Sequence, residues 1–264
     1  MINSNKNFFK VINLNLKNIK INDAILIKKN LNKHGVVLFK NQKLNPKNLK
    51  KIAEALGKPI IHNFSKTLKD YPEIMRLEKN QKSKKMFGGM WHTDSTYLKK
   101  PPKYTMLYPI KLPTKGLGGT QFTCQILAYD NLKPQIKKKI RNLYSCNSSY
   151  SKLASYRGDA KKKNNDEILA YHKLVKKLPG NIKTLYFSPG HIKFLSLSKK
   201  IEKRPKNEKK IIKTLLNTSI SKKNIAVHYW EKNDFIIWNN ERTLHCPLNN
   251  FKNQKRIMLR LSVI

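Results

Sequence analysis

Apolar residues fall into short clusters along the chain, and their spacing divides it into elements. From Asn22 to Lys33, Ala24, Ile25, Ile27 and Leu31 recur at roughly helical spacing, and Gly35 closes that segment. Val36–Phe39 then reads as a buried strand. Pro46 to Leu56 is expected as a second helix, with Asn45 as its N-cap, Pro46 in the first turn and Gly57 as its C-cap. Beyond it come strand-like runs separated by Pro and Gly: Glu73–Leu77, Met90–Tyr97, Tyr104–Ile110, Gly119–Cys124, Leu185–Phe187, Ala226–Trp230, Phe235–Trp238 and Arg256–Val263. Helices are expected at Asn131–Leu143 and Asn207–Leu216. Ser145–Asn181 is polar, rich in Ser, Tyr and Lys, and poorly patterned, so it is expected as a mobile insertion or lid. Many short strands with few helices predict a β-rich α+β chain, a β-sandwich or jelly roll with flanking helices.

Composition narrows the setting. A chain of 264 residues can form one large domain with a real core, and no linker or repeat divides it, so 1–264 is read as a single domain. The longest apolar runs are far short of a membrane span, and Met1 to Lys10 lacks the apolar core of a signal peptide. Three cysteines, an odd number with no CxxC spacing, argue against a disulfide framework or structural zinc site. These features predict a cytoplasmic chain with no membrane partner. The formal net charge is +41, which favours anionic ligands at any cleft and raises a nucleic-acid reading. Only seven of the 56 basic residues are Arg, however, and the lysines are spread along the whole chain. Phosphate and base recognition leans on the bidentate Arg fork, so a nucleic-acid partner is not expected.

Two segments carry candidate chemistry. In Trp91-His92-Thr93-Asp94-Ser95-Thr96, a strand would put His92 and Asp94 on one side, which is half of a metal site. A surface or capping pair has the same spacing, so the motif alone does not decide. Further on, a turn at Asn233-Asp234 launches Phe235–Trp238, and another turn delivers His245 to the core. A second His completes a two-His, one-carboxylate set, which leaves three positions open on Fe(II). Eleven residues later Arg256 supplies a planar fork suited to a carboxylate, and Arg260 shares its face of the strand.

These motifs, taken in order, resemble the iron(II)- and 2-oxoglutarate-dependent dioxygenases of the taurine dioxygenase type (TauD/TfdA). His34–Phe39 resembles the family's N-terminal strand, and Leu56-Gly57-Lys58-Pro59 the turn after its helix. Trp91-His92-Thr93-Asp94 resembles the proximal metal motif, and Leu112-Pro113 through Gly119-Thr120-Gln121-Phe122 the Gly-Gly-Thr strand. Trp238 to His245 and Arg256 to Arg260 are similar to the distal His and the paired arginines.

The resemblance implies a double-stranded β-helix in which His92, Asp94 and His245 hold Fe(II). Arg256 and Thr120 would hold the distal carboxylate of the co-substrate 2-oxoglutarate. Arg260 would bind the anionic group of a small substrate, and His62 would touch that substrate. His191, after Tyr186-Phe187-Ser188-Pro189-Gly190, is a candidate to line the same pocket, while His34, His172 and His228 are read as packing or surface residues. The reaction implied is hydroxylation with O2 of a taurine-like sulfonate or a carboxylate, giving succinate and CO2. Family members often form homo-oligomers.

There are departures. Ser65 and Gly88 stand where the taurine enzyme has Tyr and Asn, which removes polar contacts to taurine itself, and Asn239 replaces an acid after Trp238. Asp94 is present, whereas the family's halogenases lack that carboxylate, so hydroxylation is expected. Cys246 should point away from the site into the core. The rival readings are a basic nucleic-acid-binding protein, a dioxygenase acting on a polyanion, and a non-catalytic jelly roll.

Overall fold

The computed structural model describes residues 7–62, 65–82, 85–156, 167–199 and 201–264. The chain opens with a short strand, β1 (Phe9–Val11), and crosses through α1 (Ile21–His34) to β2 (Val36–Phe39), which lies parallel to it. Helix α1 buries Ala24, Ile27 and Leu31, one face at three- and four-residue spacing, and leaves Ile25 outside. Helix α2 (Pro46–Leu56) begins where expected. The Asn45 side chain accepts from the Asn48 amide at 2.9 Å, and Asn48 accepts from the Asn45 amide at 3.1 Å. Gly57 ends the helix for a reason other than its dihedrals, which are extended. A Cβ there would lie 2.5 Å from the carbonyl oxygen of Ile264, so only glycine admits the C-terminal strand.

Strands β3 (Thr67–Leu68), β4 (Tyr71–Lys79), β5 (Tyr104–Lys111) and β6 (Thr120–Cys124) follow, then helices α3 (Gln125–Asp130) and α4 (Pro134–Ile140). Next come β7 (Tyr144–Ser148), β8 (Leu169–Lys173), β9 (Val175–Leu178), β10 (Ile182–Leu185), β11 (Ile192–Ser196) and α5 (Glu208–Ser219). The chain closes with β12 (Ile225–His228), β13 (Phe235–Asn239), β14 (Thr243–Pro247) and β15 (Arg256–Val263). The main sheet has seven strands in the order β1-β2-β13-β5-β15-β4-β3, and a smaller sheet, β12-β6-β14, faces it. This is the sandwich of a jelly roll, completed by the sheets β11-β7-β8 and β10-β9.

Side-chain alternation explains why the central strands are apolar throughout. On β15, Ile257, Leu259, Leu261 and Val263 alternate with Arg256, Met258, Arg260 and Ser262, and all eight are buried. Leu259, Leu261 and Val263 join Val37, Phe39 and Ile237 against the apolar faces of α1 and α2. Met258 joins Leu38, Ile236 and Trp238 inside the sandwich, against Phe122 and Ala226 of the smaller sheet. The two arginines of β15 therefore point into the sandwich, toward β6 and β14.

Some expectations fail. Met90–Tyr97 is not a strand: it is a chain of turns with one β-bridge, at His92. The Leu185–Phe187 run leaves the sheet at Leu185, and the single helix expected at Asn131–Leu143 shortens to Pro134–Ile140, with α3 before it. The stretch read as unpatterned, Ser145–Asn181, contains most of β7 and all of β8 and β9, and Ser145, Cys146, Asn147, Ser148 and Ser149 are buried. Its middle, 157–166, lies outside the described residues.

Candidate active site

Two histidines meet because their backbones pair. The His92 amide donates to the His245 carbonyl at 3.1 Å, and the His245 amide donates back at 3.0 Å. Residues that exchange both bonds in an antiparallel pair project their side chains to the same face. The two imidazole centroids accordingly lie 4.1 Å apart. His245 owes its place to β14, where it pairs with Phe122 of β6 and packs on Trp238 at 4.7 Å.

Asp94 reaches the same point by a different route from the one its spacing predicted. After His92 the chain turns, with Ser95 at a φ of 46°. Thr93 is held on three sides: its amide donates to Ser188 Oγ at 3.0 Å, its carbonyl accepts from that hydroxyl at 3.2 Å, and its own hydroxyl donates to the Thr243 carbonyl at 3.1 Å. The Asp94 amide donates to Asn240 Oδ1 at 3.4 Å, and His172 Nε2 lies 2.8 Å from the Thr96 carbonyl. The turn thus folds the carboxylate back beside the imidazole, with His92 Nε2 and His245 Nε2 each 3.5 Å from Asp94 Oδ1. The ligand atoms of all three lie within 4.8 Å of one another, and all three residues are buried.

The electrostatics suit a cation. His92 Nδ1 sits 2.6 Å from the Met90 carbonyl; a proton on Nδ1 donates there and leaves the Nε2 lone pair facing the centre. Burial and the neighbouring His92 and Arg260 push the His245 imidazole well below its ordinary range despite Asp94, so it is neutral and able to ligate. Burial alone would raise the Asp94 carboxyl, but Arg260 and the two imidazoles outweigh it and hold the group well below the usual carboxylate range. Asp94 Oδ2 and His245 Nδ1 are buried and have no hydrogen-bond partner among the described residues. Two imidazoles and one carboxylate, with an orphaned carboxylate oxygen, fit a divalent transition metal.

Arg256 is the second anomaly. It is buried, and among the described residues its Nε and Nη2 have no partner and Nη1 reaches only the Met86 sulfur, at 4.0 Å. Burial lowers its pKa to about 10. Gly88 lies two residues from Met86, and a Cβ on it would stand 3.1 Å from His92 Cε1, so one short stretch touches both the guanidinium and the imidazole. With φ at +73° and the ring so close, a side chain at position 88 would be strained and would press on the His92 ring. Thr120 is buried on the inner face of β6, and its Oγ1 accepts from Trp230 Nε1 at 3.0 Å.

Arg260 donates Nη2 to Asp94 Oδ1 at 2.7 Å, so one arm of this guanidinium is engaged by the carboxylate of the site. It also lines a small, partly open pocket with His62, Phe87, Tyr97, Leu153 and His191. His62 Nε2 is 3.4 Å from the Tyr97 hydroxyl, and the His191 ring stands 6.1 Å from His92 and 5.3 Å from Tyr97. His228 is buried, His172 is half-buried, and Cys246 is half-buried on the other face of β14, not in the core. Ser188, Asn240, Tyr97 and Trp230 escaped notice because Ser, Asn, Tyr and Trp carry no spacing signature; only contact across the fold gives them roles.

The profile of the family described as "Taurine catabolism dioxygenase TauD, TfdA family" matches residues 8–262. The chain is 27% identical over 225 residues to an alpha-ketoglutarate-dependent sulfonate dioxygenase of Saccharomyces cerevisiae, covering 80% of this chain and 53% of that protein. It therefore spans about half the length of the yeast relative. An alpha-ketoglutarate-dependent sulfate ester dioxygenase of Pseudomonas putida is 23% identical, covering 88% of this chain and 77% of that one. The crystal structure of a putative alpha-ketoglutarate-dependent taurine dioxygenase from Burkholderia xenovorans superposes with a TM-score of 0.79 at 19% identity, covering 100% of this chain and 92% of that one.

Proposed function

Because the chain belongs to the taurine catabolism dioxygenase TauD, TfdA family, we propose that it is an Fe(II)- and 2-oxoglutarate-dependent dioxygenase that hydroxylates a small anionic substrate. The observation that carries this reading is the buried convergence of His92, Asp94 and His245, together with a buried arginine, Arg256, that has no ion-pair partner among the described residues. His92, Asp94 and His245 would hold the iron; iron with its co-substrate would supply O2 activation and an oxidant for an unreactive C–H bond.

The protein's own part is positioning and exclusion. Arg256 and the Thr120 hydroxyl would take the distal carboxylate of 2-oxoglutarate, since a bidentate guanidinium matches that group. His62, Arg260 and His191 would orient the substrate's anionic head in the cavity they line, and Phe87 and Leu153 would keep water from the oxidant. The net charge of +41 favours anions at such a mouth. The overall reaction consumes 2-oxoglutarate, O2 and substrate and yields succinate, CO2 and the alcohol. Where the hydroxylated carbon bears a sulfonate, the product collapses to an aldehyde and sulfite. Relatives named for sulfonates and sulfate esters support this class.

The test is substrate-dependent succinate formation with Fe(II), screened over alkyl sulfonates, sulfate esters and carboxylates. At least one such anion should stimulate turnover, and His92→Ala should reduce it to background. Full turnover by that variant, or no response to any anion, would refute the reading.

A further inference from the structure

We infer that Trp230 is a positioning residue that fixes the direction of the Thr120 hydroxyl toward the co-substrate. The inference rests on the proposed 2-oxoglutarate site and adds a part to it. An indole N–H only donates. Trp230 Nε1 lies 3.0 Å from Thr120 Oγ1, so Thr120 is the acceptor and its own proton remains to be given elsewhere. Among the described residues the Thr120 hydroxyl makes no other hydrogen bond. A threonine free to rotate presents lone pairs as readily as its proton, and lone pairs repel a carboxylate. One whose lone pair is taken by an indole is set as a donor.

The surroundings hold this pair in place. Trp230 is buried among Phe122, Ala226 and Trp238, and the His228 ring stands edge-on to it at 4.9 Å. Thr120 pairs with His228 across β6 and β12. The residue before it, Gly119, permits the approach: a Cβ there would lie 2.8 Å from the His228 carbonyl oxygen and 3.1 Å from the Tyr229 ring. Thr120 faces into the sandwich, as does Arg256 with its unpartnered Nε and Nη2. The donor prepared by Trp230 and the guanidinium that lacks an anion therefore share the interior of the sandwich.

A double-mutant cycle on the Mn(II)-loaded protein, read as 2-oxoglutarate affinity by calorimetry, tests this. Trp230→Phe should weaken binding by about fivefold to tenfold, the worth of one ordinary hydrogen bond. Thr120→Val should weaken it at least as much, and Thr120→Ser should recover most of the loss. In the Thr120→Val background, Trp230→Phe should change affinity less than twofold. Mn(II) affinity should be the same throughout, and if Trp230→Phe does not fold, Trp230→Leu takes its place. Equal losses in both backgrounds would make Trp230 a packing residue only, and no loss in either would also overturn the inference. Failure of the wild type to bind 2-oxoglutarate would instead strike at the proposed function.

Discussion

A guanidinium taken out of water loses hydration that only an anion or several acceptors can replace. Arg256 has neither, and burial lowers its pKa to about 10, so in the free protein it is a source of instability. Arg256→Met should consequently leave the metal-free protein as stable or more stable, by about 1 kcal/mol, because replacing a buried charge with an apolar group of similar volume is often stabilising. The same change should weaken 2-oxoglutarate binding by at least about a hundredfold, as expected for a lost bidentate charge pair. Chemical denaturation and calorimetry give the two numbers. A variant clearly less stable than wild type would mean that Arg256 is structural. This residue was legible in the sequence through scarcity: one of seven arginines, spaced four from another. The roles of Ser188, Asn240 and Trp230 were not, since each acts through a contact made across tens of residues.

At the level of elements, local signals served well where local physics decides. The Asn45 cap, the proline in the first turn of α2 and the four apolar residues of β2 gave boundaries that match the fold residue for residue. They failed where tertiary bonds override propensity. Met90–Tyr97 has strand-like composition but no partner strand alongside it beyond the single bridge to His245, and Ser188, Thr243 and Asn240 hold it as turns. Strand alternation put His92 and Asp94 on one side for the wrong reason; a turn with Ser95 at positive φ produces the same convergence. Strands β7 and β8 were missed because polar residues such as Ser145 and Asn147 occupy buried positions, where Asn147 satisfies itself on Ser145 and Thr96. A hydropathy pattern cannot see a core built from hydrogen-bonded polar groups.

The whole molecule carries its charge in a manner that makes stability depend on pH. Burial lowers the pKa of His172, helped by Lys176; it lowers that of His228 although Asp234 works against it; and it lowers that of His245 strongly. In the unfolded chain each would titrate near 6.5. Below that pH the unfolded chain takes up protons that the folded one refuses, so stability falls as pH drops from about 7 to 5 and is flat in this respect above 7. The metal-free protein should melt lower at pH 5.5 than at pH 7.5, by about 3–6 °C for a chain of this size. An equal or higher melting temperature at pH 5.5 would show that these histidines are protonated in the fold.

The claim on which everything turns is that two imidazoles and one carboxylate form a single metal centre. Anaerobic titration of Fe(II) into the metal-free chain, followed by calorimetry, addresses it directly. One ion should bind per chain, and that binding should be lost in each of His92→Ala, Asp94→Ala and His245→Ala. Stoichiometric binding that survives all three substitutions, or no binding by the wild type, would contradict it.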